Sequence, residues 1–145
     1  MEEKPELAFS LLEVGKTFRP FVLEVSEEFA RAFTDSVKDE NPFHSIEAAA
    51  QEAGFEKRLA PAGISGIWGR RSYLEDYRMP GGGVLIRLAY EFENPVYVGD
   101  TLTAKAVVKE ISERKGKPLV IIRTEARNQE GEKIGAVELT LLWPS

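Results

Sequence analysis

Pro80-Gly81-Gly82-Gly83-Val84-Leu85-Ile86-Arg87-Leu88-Ala89-Tyr90-Glu91-Phe92-Glu93 is the stretch on which the fold turns. A proline followed by three glycines ends whatever precedes it, since neither residue supports regular structure. Beyond the break, Ile86, Leu88, Tyr90 and Phe92 alternate with Arg87, Ala89, Glu91 and Glu93. A period of two sends successive side chains to opposite faces, which predicts a strand with one core face. Leu102 to Ile111, Leu119 to Arg127 and Ile134 to Trp143 predict three further strands. Their connectors, Glu113-Arg114-Lys115-Gly116-Lys117 and Asn128-Gln129-Glu130-Gly131-Glu132, are polar, short and glycine-containing, as hairpins require.

Upstream of the break the period is 3.6. Phe18 to Val25 is rich in β-forming residues and predicts a strand that Pro20 confines to an edge. Ser26 is suited to cap a helix whose first turn carries Glu27 and Glu28, where carboxylates favour the dipole. Phe29, Phe33 and Val37 follow at four-residue spacing and predict its buried face. Ser45 is read as a second cap, opening an alanine-rich helix from Ile46 to Ala53 that Gly54 stops. Ile64, Ile67, Trp68 and Arg71 share one side of a central helix expected from Gly63 to about Leu74. A strand, then helices, then a meander of long strands predicts an α+β fold with an antiparallel sheet around one helix. The open edges of such a sheet predict pairing with a second copy, a homodimer. Trp68, Tyr73, Tyr77 and Tyr90 read as core or interface residues.

The chain has 145 residues, with no repeat and no linker-like shift in composition, so residues 1–145 are expected to form a single domain. It has no cysteine and one histidine, which excludes disulfides, thiolate zinc sites and a multi-histidine metal centre within one chain. The net charge of −5 gives no general attraction to nucleic acid. Arg70, Arg71 and Arg87 read as solvated or paired surface charges, with contact to the phosphates of a ligand as the alternative. No apolar run approaches the ~20 residues that span a bilayer. Met1-Glu2-Glu3-Lys4-Pro5 lacks the layout of a secretory signal, so a cytoplasmic location is the expectation.

One segment joins a carboxylate to the lone imidazole: Val37-Lys38-Asp39-Glu40-Asn41-Pro42-Phe43-His44. Pro42 fixes its own φ and pushes Asn41 out of helical conformation, so the segment predicts a rigid bend between two helices. Such a bend turns Asp39 and His44 toward a common point. A carboxylate beside an imidazole holds water and moves protons near neutral pH. The same composition also suits an ordinary loop with a surface histidine.

Val37 to His44, with Ala49 following, resembles the hydratase motif Gly-Asp-x-Asn-Pro-(apolar)-His of the MaoC-like acyl dehydratases. Leu12-Glu13-Val14-Gly15-Lys16, Gly54-Phe55, Phe92-Glu93-Asn94-Pro95-Val96-Tyr97-Val98-Gly99-Asp100 and the turn at Asn128 to Glu132 resemble further segments of that family, in order. The resemblance implies a hot-dog fold, in which a curved sheet wraps a helix, a helical overhang carries the motif and two copies join sheets. It implies hydration of trans-2-enoyl thioesters, on coenzyme A or an acyl carrier, to (R)-3-hydroxyacyl thioesters. Asp39 and His44 then hold the water, Asn41 shapes the loop or adds a hydrogen bond, and the Gly63 N–H stabilises the thioester oxygen. No metal or cofactor is implied. Which of Asp39 and His44 takes the first proton stays open.

Two positions depart from the family pattern. Lys38 stands where the motif has glycine, and Ala62 stands where the family's central helix opens on histidine. Two other readings therefore accompany the hydratase: a hot-dog acyl-CoA thioesterase in which Asp39 activates water against the carbonyl, and a non-catalytic subunit of a heterodimeric dehydratase.

Overall fold

A computed structural model describes residues 3–144. Helix α1 (Glu27–Val37), helix α2 (Glu47–Glu52) and helix α3 (Ser65–Arg71) lie between strand β1 (Phe21–Glu24) and strand β2 (Val84–Phe92). Strands β3 (Thr101–Arg114), β4 (Lys117–Arg127) and β5 (Lys133–Leu142) follow as a meander. All pairings are antiparallel, in the order β1-β3-β4-β5-β2. This is the expected α+β hot-dog architecture. β1 lies at one edge, as Pro20 predicts, and β2 at the other.

Local chemistry accounts for the elements. Lys115 and Gly116, both at positive φ, form the two-residue turn between β3 and β4. Two such residues in succession give a turn whose twist matches the strands. The inner face of the sheet buries Leu102, Ala104, Ala106 and Val108 of β3, Val120 and Ile122 of β4, and Leu139 and Leu141 of β5. Against them pack Ile64, Trp68 and Tyr73 from α3 and its flanks. A Cβ on Gly69 would lie 2.8 Å from Val137 Cγ1, so the absence of a side chain there lets α3 settle on β5.

The outer face is charged. Lys109 of β3 meets Glu138 of β5 at 2.9 Å, and Arg123 of β4 meets Glu138 at 2.8 Å and Glu91 of β2 at 2.9 Å. Lys133 bridges Glu93 at 3.2 Å and Glu125 at 3.4 Å. Along the contacts Lys109–Glu138–Arg123–Glu91 the charges alternate in sign, with both cations on β3 and β4 and both carboxylates on β5 and β2.

Four expectations are corrected. Ser45 does not cap α2: it has helical φ and ψ at the end of a 3-10 turn, Pro42–His44, and Ile46 is the extended N-cap residue without a side-chain cap bond. Val37 is 55% exposed, because α1 ends there while Phe29 and Phe33 pack against the core. The central helix is shorter than Gly63 to Leu74: a 3-10 turn, Ala62–Ile64, leads into seven α-helical residues. The fourth correction concerns β2. Its Leu85, Leu88, Tyr90 and Phe92 are 48%, 41%, 40% and 62% exposed, so the expected core face lies uncovered in the single chain. A bulge between Leu85 and Arg87 also takes Ile86 out of phase. α3 spans about 10 Å at 1.5 Å per residue and rests on β5, too short to cover β2 as well.

Candidate active site

The motif segment forms the bend that its proline predicts. Ser26 caps α1, its Oγ accepting from the Phe29 N–H at 3.0 Å. At the other end Lys38 adopts left-handed φ 57°, ψ 41°, and the Asp39 N–H donates to the Thr34 carbonyl at 2.9 Å. This is the usual place of a glycine, since a Cβ is crowded in that conformation. Lys38 takes it nonetheless, in a conformation that a glycine would also hold.

The bend is then locked by its own side chains. Asp39 Oδ1 accepts from the Asn41 N–H at 3.0 Å, and Asn41 Oδ1 accepts from the Phe43 N–H at 3.0 Å. Asn41 thereby caps the 3-10 turn that carries His44. These bonds leave Asp39 Oδ2 free, and it faces His44 Nε2 at 3.2 Å. The two side chains are 34% and 13% exposed, half-buried and reachable from solvent.

Sequence reasoning missed the third member of this arrangement. His44 Nδ1 lies 2.7 Å from the Leu59 carbonyl. A carbonyl only accepts, so Nδ1 carries a hydrogen and donates it. In a neutral ring Nε2 then presents a lone pair to a carboxylate oxygen, and the close approach is favourable when a proton lies between them. Leu59 is itself fixed, donating its N–H to the Phe43 carbonyl at 2.9 Å, while Ala60 donates to Val96 at 2.8 Å. No sequence signal marks such a carbonyl, because every residue has one.

Asp39, Asn41 and His44 share a cleft of about 250 Å³, walled by α1 residues including Ala30 and Thr34, and by Arg58 and Val98. Arg58 spans it, its Nη1 3.1 Å from Glu27 Oε1. Leu59, whose carbonyl faces His44, also lines an apolar cavity of about 360 Å³ together with Ala62, Ile64, Trp68 and Phe92 among others. Gly63 does not line the cleft. It sits in the 3-10 turn before α3, where the first N–H groups lack intrahelical partners. The Phe33 ring of α1 packs directly on it: a Cβ on Gly63 would lie 2.9 Å from Phe33 Cζ. The site thus unites three of the four expected residues, while the fourth, Gly63, stands outside this cleft against Phe33. Among the described residues, no group of three His, Asp or Glu side chains is placed to hold a metal. No helix among them is long and apolar enough to cross a membrane.

A family model, FAS1-like, dehydratase domain region, matches residues 13–137. The chain belongs to that family. This FAS1-like dehydratase region chain is 31% identical over 147 residues to a UPF0336 protein of Mycobacterium tuberculosis, covering 95% of this chain and 86% of the relative. Among solved structures it is similar to the C-terminally truncated HadBC (3R-hydroxyacyl-ACP dehydratase) complex from the same organism, with 28% identity and a TM-score of 0.77, covering 88% of this chain and 95% of that one. It is also similar to the (R)-hydratase from A. caviae involved in PHA biosynthesis, with 25% identity and a TM-score of 0.73, covering 92% and 98%. The family and fold agree with the MaoC-like resemblance of the motif segment.

Proposed function

We propose that this FAS1-like dehydratase region chain hydrates trans-2-enoyl thioesters to (R)-3-hydroxyacyl thioesters, and dehydrates them in reverse. The observation that supports it most is the Asp39–His44 contact at 3.2 Å, with His44 oriented by Leu59. In this reading a water sits against Asp39 Oδ2 and His44 Nε2. The pair takes a proton from it as its oxygen bonds to C3, and the C2=C3 electrons move onto the thioester as an enolate. C2 then receives a proton from the pair, so water is added with the pair restored. The Gly63 N–H, at a helix start, donates to the thioester oxygen while it carries charge. Asn41 is a loop-shaping residue, and the apolar cavity beside Leu59 takes the acyl chain. The carrier is coenzyme A or an acyl-carrier protein, and the working unit is a homodimer that covers the β2 face. No metal or cofactor enters the reaction.

Incubation with crotonyl-CoA, followed by loss of enoyl absorbance, tests this reading. Hydration by the wild-type chain alone supports it and excludes a purely supporting subunit. Release of free thiol without a hydroxyacyl product decides for the thioesterase instead. Full hydration by both Asp39→Ala and His44→Ala variants sinks the assignment of the pair.

A further inference from the structure

The two tryptophans of this chain are both buried, and their indole nitrogens fare differently. Trp143 Nε1 donates to the Leu7 carbonyl at 3.0 Å. Trp68 is 2% exposed, yet its Nε1 finds no acceptor on the chain. Among the described residues it is the one buried side-chain nitrogen or oxygen without a partner. Other buried polar side chains are served: the Ser72 and Thr124 hydroxyls lie 2.8 Å apart, and Ser72 also reaches the Gly69 carbonyl at 2.8 Å. An indole N–H can only donate, and a donor shut off from water and left unpaired is destabilising. Phenylalanine would pack a similar apolar ring there without that cost. The tryptophan is therefore explained by an acceptor from outside the chain.

Trp68 lines the apolar cavity of about 360 Å³ beside Leu59. Ser65, three residues earlier in α3 and 4% exposed, lines it too. Residues three apart are neighbours on a helix surface, and a long helical side chain leans toward the N-terminus, so the Trp68 indole tilts toward Ser65. Ser65 Oγ donates its hydrogen to the Ala62 carbonyl at 2.7 Å, which leaves it only lone pairs to offer a ligand. One turn of an otherwise apolar wall thus carries both a donor and an acceptor. A hydroxyl, which accepts and donates, is the smallest group that complements the two. Neither residue lines the cleft of Asp39 and His44, so the group they suit is not a hydroxyl formed at C3. Trp68 stands five residues beyond Gly63, about 7.5 Å at 1.5 Å per residue, which sets that group several carbons from the thioester.

We infer that the cavity takes an acyl chain bearing a hydroxyl several carbons from the thioester, which accepts from Trp68 Nε1 and donates to Ser65 Oγ. Trp68 is then a specificity-determining residue. Its N–H is already out of water in the free protein, so bonding it to a ligand oxygen breaks no bond to solvent on the protein side. A plain alkyl chain fills the same space and leaves the donor unpaired. A site built to bond a hydroxyl discriminates against the analogue that lacks one. This inference rests on the reading that the cavity receives the acyl chain, and not on the chemistry at C3.

Saturated thioesters test it apart from the reaction, since they bind but have no double bond to hydrate. Calorimetric titration of the full chain should show 6-hydroxyhexanoyl-CoA binding about tenfold or more tighter than hexanoyl-CoA. With two tryptophans, the indole region of a ¹⁵N–¹H correlation spectrum holds two N–H signals. The Trp68 signal should move downfield with the hydroxylated ligand, beyond any shift that hexanoyl-CoA produces, while that of Trp143 stays with its Leu7 bond. Trp68→Phe should bind the two thioesters alike. Equal affinities in the wild type, binding of neither, or a Trp68 signal that answers both ligands equally would overturn the inference, whether or not the variant folds. A preference that survives in Trp68→Phe would overturn it as well. A wild-type chain that prefers the hydroxyl but leaves crotonyl-CoA unhydrated would overturn the proposed reaction and leave this inference standing; hydration without the preference would do the reverse.

Discussion

His44 Nε2 lies 3.2 Å from Asp39 Oδ2, while the opposite ring nitrogen is committed to the Leu59 carbonyl at 2.7 Å. The orientation of the imidazole is thus set from behind by backbone, and its other nitrogen faces the carboxylate.

Asp39→Asn keeps the shape and the bond from the Asn41 N–H but removes the charge; His44→Ala removes the other proton carrier. Each should lower the crotonyl-CoA hydration rate by about 10²–10⁴-fold, the usual worth of a positioned acid or base. Stopped assays monitoring enoyl absorbance measure this directly. A loss below tenfold in both would contradict the shared role.

Lys38 holds a left-handed conformation that disfavours any residue with a Cβ. Lys38→Gly should therefore stabilise the protein by about 1 kcal/mol, somewhat reduced by the greater freedom of glycine in the unfolded chain. Hydration should stay at the wild-type rate, since the backbone path through Asp39 is unchanged. Urea unfolding reads the stability. Lys38→Val, with its branched Cβ, should move the midpoint the other way.

Gly63 and Phe33 are in closer contact than any side chain at position 63 permits. Gly63→Ala should push on the Phe33 ring, costing about 1–3 kcal/mol as overpacking does, and displace the turn whose N–H groups precede α3. Hydration should fall along with stability. Adding Phe33→Leu opens space at the ring's far end, so the double variant should recover part of both. A double variant no better than Gly63→Ala would show that the contact does not set the spacing of α1 and α3.

The charged outer face predicts a pH response. The Arg123 hydrogen bond holds the Glu91 carboxyl below its ordinary value, and Lys109, then Arg123, does the same for Glu138. A carboxyl whose folded value is depressed stabilises the fold above its unfolded value, ordinarily near 4.5, and loses that contribution as pH falls through the folded value. Urea midpoints should therefore drop below about pH 4.5. Glu138→Gln should be less stable than wild type at pH 7 and show a shallower acid loss. Equal slopes in the two proteins would remove Glu138 from the account.

Much of this was written locally. The period of two in β3, β4 and β5 survives folding because their inner faces meet α3 and its flanks, so pattern and burial agree. Ser26 caps α1 through a bond three residues long, and Pro42 makes its bend by its own ring. The same locality placed Asp39, Asn41 and His44 in one cleft: their bonds to one another span few residues and need little from the rest of the chain. Ser45 misled because a cap depends on where the preceding turn ends, and the turn at Pro42 ends one residue later than the side chain suggests.

What only tertiary structure decided are the relationships across long separations. The Leu59 carbonyl that orients His44 comes from fifteen residues away and carries no mark in the sequence. The ring that fills the space over Gly63 comes from α1, and no helical periodicity names its target. Above all, the alternation in β2 was legible, but its burial was not. Alternation states that one face seeks apolar company; only the length and position of α3 show that the chain does not provide it, leaving Leu88, Tyr90 and Phe92 exposed. A strand's pattern is fixed by its residues, whereas its burial depends on what the rest of the fold has room to place against it.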